Sequence, residues 1–172
     1  MGPVSASVEV DAARERAFDF LADIANRVSF TDHFISGFHL SRVETTGVGA
    51  GARFRFYAPP RAVWVDTVIT GLSRPYRISE RGAGGRANRI PTATEWVLEQ
   101  GASRLTTVRV VYWTSPAHRL DRARDTLGGA SLWYERNWRI ALRRLRELLE
   151  SEGPPTNRAG VAGGNRHVTG IP

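Results

Sequence analysis

Residues 133–150 read WYERNWRIALRRLRELLE, and this stretch decides the fold. Leu127, Tyr134, Trp138, Ala141, Leu142, Leu145, Leu148 and Leu149 recur at three-and-four spacing, while Arg136, Arg139, Arg143, Arg144, Arg146 and Glu147 fall mostly elsewhere on the wheel. The pattern predicts one long amphipathic helix within residues 116–152. Its apolar stripe is too wide to stay in water, so another part of the chain must cover it. The candidates upstream read as strands, which predicts a sheet folded around the helix. The aliphatic residues of 138–149 clamp that sheet. Gly128 and Gly129 each weaken a helix by about 1 kcal/mol relative to alanine, which predicts a mobile gate near Gly128.

The rest of the chain bounds the architecture. A chain of 172 residues with 41% hydrophobic content is long enough for one domain with a core of its own. The expected domain covers residues 1–152, and the glycine- and proline-rich residues 153–172 are expected to form a disordered tail. No apolar run reaches the length of about 18 residues that a membrane-spanning helix needs, and the N-terminus lacks signal-peptide character. The cysteine count is zero, which removes disulfides and thiolate metal sites and fits a cytoplasmic location. The net charge of +7 raises the possibility of phosphate binding through counterion release. All 24 basic residues are arginine, however, and they are spread along the chain with acids between them. A solvated surface explains them, and nucleic acid is not expected as a partner.

Taken in order, residues 4–10 alternate as a half-buried strand. Asp11 offers an N-cap for a helix carrying Ala17, Phe20, Leu21 and Ile24. Thr31 or Asp32 caps a second short helix that Gly37 ends, and Phe30, Phe34 and Phe38 form an apolar edge at four-residue spacing. Six strand-like segments follow. The first spans 39–46, and the second spans 52–58 with Phe54 and Phe56 on one face. The glycines of 47–51 fail as a dinucleotide fingerprint because a strand, not a helix, follows them. In 61–71 the expected buried set is Val63, Val65, Thr67 and Ile69; the opposite parity turns Trp64 and Asp66 inward. The segment 76–81 puts Ile78 and Glu80 on one face. Trp96 and Leu98 share a face of the next, and Val108, Val110 and Tyr112 face inward on the last, with Arg109 outward. Trp64 or Trp113, if outward, offers a patch for a homodimer.

This β-α-α-β6-α order resembles the helix-grip fold of the START-like (SRPBCC) superfamily, and locally its polyketide cyclase/dehydrase and lipid-transport branch. Four stretches carry the likeness: VSASVEVDAARERAFDFLADIANR (4–27), TGVGAGARFRF (46–56), TVITGLSRPYRISERG (67–82) and ASRLTTVRVVYWTSP (102–116). The resemblance implies an α+β domain in which a curved antiparallel sheet of about seven strands wraps the C-terminal helix. It also implies an apolar cavity between the two, with its mouth near the short second helix, and a small hydrophobic ligand that is polyketide- or lipid-like. The protein would act as a carrier or a cyclase-like enzyme.

The lining expected for such a cavity is Phe54, Phe56, Ile78, Trp96, Val110 and Tyr112 from the strands, Leu127, Tyr134 and Trp138 from the helix, and Phe30 or Phe34 at the rim. The alternative is that these side chains fill the core. Glu80 is the candidate acid or base, since a carboxylic acid enclosed by apolar surface is usable near neutrality; otherwise it is a rim carboxylate paired with arginine. His33, beside Phe34, is the second catalytic candidate, with a structural histidine as the alternative. The four histidines show no metal-ligand spacing, and no Gly-x-Ser-x-Gly elbow occurs, so neither metal nor cofactor is expected. A different function class, an RNA-, ribosome- or protein-binding module, rests on the arginines of residues 136–146.

Overall fold

The computed structural model of the chain describes residues 2–57, 62–101, 105–115, 129–151 and 157–160. Strand β1 (Val4–Val10) buries Val4, Ala6 and Val10 and turns Ser5, Ser7 and Glu9 outward, as its alternation requires. Helix α1 (Arg14–Ala22) follows with Ala13 at its N-cap, which makes no side-chain capping bond. The predicted cap, Asp11, instead donates its backbone N–H to Glu150 Oε1 at 3.1 Å. This ties the start of α1 to the end of the C-terminal helix.

The connection from α1 to the sheet is tighter than the sequence pattern suggests. A 3-10 turn (Ile24–Arg27) runs into the one-turn helix α2 (Val28–Thr31). Its cap is Asp23, whose Oδ1 accepts from the Ala25 N–H at 3.1 Å, and not Thr31 or Asp32. Strand β2 (Ile35–Leu40) therefore begins before position 39 and ends before the predicted strand does. The reason is local: Gly37 adopts φ +57° within β2, whose pairing with β3 slips between Ser36 and His39. That glycine accommodates an irregular edge strand and does not end a helix.

Strands β3 (Gly51–Phe56), β4 (Val63–Ser73), β5 (Arg77–Gly84), β6 (Ile90–Gln100) and β7 (Thr106–Thr114) complete one antiparallel sheet in the order β1-β7-β6-β5-β4-β3-β2. Helix α3 (Ala130–Glu150) is the predicted C-terminal helix, and the full order is the expected α+β one. On β4, Val65 and Ile69 are buried and Trp64 is exposed, which settles the parity. The same inward register buries Val108, Val110 and Tyr112 on β7. At Gly82 a Cβ would lie 2.2 Å from the Asp66 carbonyl oxygen, so only glycine allows β4 and β5 to approach this closely.

Helix α3 buries Tyr134, Trp138, Ala141, Leu142, Leu145 and Leu149, the stripe read from sequence. Trp138 meets Trp96 of β6 at 5.6 Å and Phe34 at 5.2 Å, both edge to face. Leu127 and Gly128 lie outside the described residues, and so does the gate proposed there. Gly129 stands at the N-cap of α3 with φ +64°, ahead of the helix and not within it.

Within 153–172, read from sequence as a tail, the four residues 157–160 lie across the first turn and the sheet edge. Ala159 donates to the Ala25 carbonyl, the Gly160 carbonyl accepts from Leu40, and Arg158 pairs with Asp23. No helix among the described residues is long and apolar enough to cross a membrane.

Candidate functional site

Among the described residues the sheet's inner face carries one buried carboxylate. Glu80 stands on β5, which lies inside the sheet, between Ile69 on β4 and Thr94 on β6. It is neither at an edge nor at a rim. Its partner is Arg27, the last residue of the 3-10 turn, whose Nη2 lies 2.6 Å from Glu80 Oε1, with the two side chains 6% and 8% exposed. Trp96 donates its indole N–H to the same oxygen at 3.0 Å, and the Arg27 guanidinium lies 4.2 Å above the Trp96 ring. The expected arginine partner for Glu80 exists, but the pair is internal.

Local structure fixes Arg27. The Asp23 cap holds the turn, Asn26 Nδ2 donates to the Phe20 carbonyl at 3.0 Å, and the Arg27 carbonyl accepts from the Thr31 hydroxyl at 2.6 Å. Burial pushes the Arg27 guanidinium below its ordinary value, and the charges of Glu80 and Asp23 oppose that shift. Arginine starts so high that the group stays a cation. Sequence reading passed over this residue because buried arginine is rare and a one-turn helix has no period to reveal its inner face.

A cavity of about 30 Å³ adjoins the pair and is lined by Arg27, Glu80, Thr67, Thr94, Trp96 and Trp138, together with Phe54, Phe56 and other apolar side chains. A second, of about 70 Å³, lies among Val63, Val65, Ile90, Thr92, Tyr112 and Tyr134. Phe56 lines the first and meets Tyr134 at 5.3 Å and Tyr112 at 5.6 Å. These three rings partition the two spaces. The predicted lining therefore divides into three groups. Phe54, Phe56, Trp96 and Trp138 border the first cavity, and Tyr112 and Tyr134 the second. Ile78, Val110, Phe30 and Phe34 border neither and are fully buried core. Phe30 packs edge to face on Trp96, and Phe34 sits among Phe56, Trp133 and Trp138, so neither forms a rim. Filling and lining are both present, residue by residue.

Two donors beside the first cavity are unmet. Arg27 Nε and Trp138 Nε1 are buried with no hydrogen-bond partner among the described residues, although each normally finds one when buried. Among the described residues, Glu80 Oε2 accepts a single hydrogen bond, from the Thr67 hydroxyl at 3.5 Å, which leaves it room to accept another.

His33, the other catalytic candidate, lines neither cavity. It bridges the α2–β2 connection to α3, with Nε2 3.2 Å from the Asn137 carbonyl and Nδ1 3.4 Å from Arg144. A carbonyl only accepts and a guanidinium only donates, so this geometry matches the neutral ring with its proton on Nε2. Burial lowers its pKa; the Asn137 carbonyl opposes that shift, and Arg144 adds to it.

The basic face of α3 is partly engaged. Arg139 pairs with Glu135, Arg144 with Asp32 and Arg146 with Glu150. On the outer sheet face Trp64 is 39% exposed and lies under Arg53, while Trp113 is half-buried under Arg81. Among the described residues no group of three or more His, Asp and Glu side chains is placed to hold a metal.

No protein-family model and no curated protein matches the sequence. Solved structures do match its fold. The KanY protein is 16% identical with a TM-score of 0.67, covering 88% of this chain and 100% of its own. DynU16, from the dynemicin biosynthetic locus, is 20% identical with a TM-score of 0.60; the match covers 93% of this chain and 51% of DynU16. Major latex-like protein 151 of Panax ginseng is 13% identical with a TM-score of 0.60, over 87% and 98% of the two chains. A seven-stranded antiparallel sheet closed on a long C-terminal helix, shared with these proteins almost end to end on this chain's side, is the helix-grip fold.

Proposed function

We propose that this protein binds a small hydrophobic molecule, polyketide- or lipid-like, between sheet and C-terminal helix, with Arg27, Glu80, Trp96 and Trp138 orienting its polar end. The observation that carries this reading is the buried ion pair. Removing two charges from water costs several kcal/mol per ion, and apolar residues of similar volume fill a core at least as well. A costly pair beside a cavity, with donors still unmet, is explained by a ligand and not by packing. The origin of DynU16 in a biosynthetic locus supports a small-molecule role, and a cysteine-free sequence suits the cytoplasm.

Ligand sites typically enclose about 300–1,000 Å³, far more than 30 and 70 Å³. Uptake on this reading displaces the Phe56–Tyr112–Tyr134 partition and joins the two spaces. Carrier action needs nothing more. Cyclase-type action adds a proton acceptor at the ligand, and Glu80 Oε2 is the atom with capacity for it. The engaged arginines of α3 give no comparable support to the RNA- or partner-binding alternative.

Titration of the purified protein with the uncharged apolar fluorophore N-phenyl-1-naphthylamine tests the reading. Saturable one-to-one binding is expected, and it should be lost in Thr94→Phe, which fills the first cavity, provided circular dichroism shows the variant folded. Non-saturable binding, or equal binding by the folded variant, contradicts it.

A further inference from the structure

The polar residues of the first cavity have a definite donor and acceptor pattern. Arg27 Nε and Trp138 Nε1 offer two N–H donors with no acceptor among the described residues. Both residues line a space of about 30 Å³, more than the roughly 10–15 Å³ that one enclosed water needs. A ligand group that meets these donors is therefore small. Its charge is constrained as well. The Arg27 cation is already matched by Glu80 at 2.6 Å, with Asp23 adding a second negative field. A ligand carboxylate would put another anion beside Glu80 in a water-poor interior, where like charges oppose each other strongly. A neutral carbonyl oxygen meets the donors without that penalty. On the other side, Glu80 Oε2 can accept one more hydrogen bond.

We infer that the ligand of this cavity is an uncharged carbonyl compound, a ketone or ester and not a free acid, whose oxygen is held by Arg27 Nε and Trp138 Nε1. A hydroxyl next to that carbonyl donates to Glu80 Oε2. The inference rests on the hydrophobic-ligand reading above and narrows it to one chemical class.

Three probes of similar size separate the possibilities: acetophenone, ethylbenzene, in which CH2 replaces the carbonyl, and benzoate, each titrated into the full chain by calorimetry. Acetophenone is expected to bind roughly tenfold tighter than ethylbenzene, the gain of a hydrogen bond from a charged donor plus one from a neutral donor, less desolvation. Adding an adjacent hydroxyl on the side-chain carbon, in 2-hydroxyacetophenone (phenacyl alcohol), strengthens binding further, and benzoate binds weakest. In Trp138→Phe the acetophenone-to-ethylbenzene ratio should fall about fivefold; taken within each protein, the ratio cancels changes in packing. Equal affinity for acetophenone and ethylbenzene overturns the carbonyl assignment while leaving the hydrophobic site standing, and means that water alone meets the two donors. Benzoate binding tighter than acetophenone, or a ratio unchanged in Trp138→Phe, also overturns it. Binding of none of the probes overturns both readings.

Discussion

Replacing Glu80 by glutamine keeps the shape of the side chain and removes its charge, leaving the Arg27 cation inside the protein without its nearest anion. At the observed 2.6 Å the Coulomb attraction amounts to about 6 kcal/mol at an effective dielectric constant near 20. Most of that offsets the several kcal/mol that each ion loses on leaving water. The net value of the pair is therefore small, but breaking it from one side exposes the uncompensated desolvation. Glu80→Gln should cost about 3–5 kcal/mol, and Arg27→Met a similar amount. Both fit within the stability of about 5–15 kcal/mol usual for a domain. The double variant Arg27→Met, Glu80→Gln should recover most of the loss, because the amide oxygen introduced at position 80 still accepts from the Trp96 indole and no charge remains buried. Urea unfolding of the four proteins gives the coupling energy, expected to be at least about 3 kcal/mol. Two single variants each costing less than about 1 kcal/mol, or a double variant equal to their sum, would refute the claim that this pair is a buried, strongly coupled unit.

Four further outcomes follow from the same structure. Phe56→Ala removes part of the ring partition and should cost about 3–5 kcal/mol in urea unfolding, while increasing ethylbenzene affinity by joining the two cavities. Gly82→Ala brings a Cβ within 2.2 Å of a backbone oxygen and should destabilise by about 1–3 kcal/mol, in contrast to an exposed position such as Ser7→Ala. His33 has a folded pKa lowered from its ordinary 6.5, so it contributes stability that is present above about pH 6.5 and lost as pH falls through the lower folded value; His33→Asn should flatten unfolding free energy against pH in that window. Truncation after Ser151 removes the backbone bonds of residues 159 and 160 to Ala25 and Leu40 and should cost about 1–3 kcal/mol, with faster hydrogen exchange at the Leu40 amide.

The periodic parts of the fold were legible in the sequence. The stripe of α3 and the alternation of β1, β4 and β7 each encode one face by simple spacing, and the structure uses those faces as read. The short elements were not legible. Whether Asp23 or Thr31 caps a single turn depends on where the chain must bend to reach the sheet, and Ile24 makes that bend through a bond to the Thr45 carbonyl. The site followed the same division. The inward position of Glu80 was legible because it shares a strand face with Ile78. Its pairing with Arg27 was not legible, because no local pattern signals the inward placement of that arginine. Phe30 and Phe34 were placed at a rim because aromatic clusters near a loop suggest a mouth. They are core: Phe30 packs edge to face on Trp96 of the interior strand β6, and Phe34 sits among Phe56, Trp133 and Trp138.

The central claim is that the space beside Arg27, Glu80 and Trp138 is a ligand site. The five tryptophans of the chain make it directly observable, because each indole N–H gives its own signal in a nitrogen–proton correlation spectrum. On titration with acetophenone, the Trp96 and Trp138 indole signals should shift in a saturable way while that of the outward-facing Trp64 stays in place. Shifts confined to Trp64, or no saturable shift at Trp96 and Trp138, would contradict it.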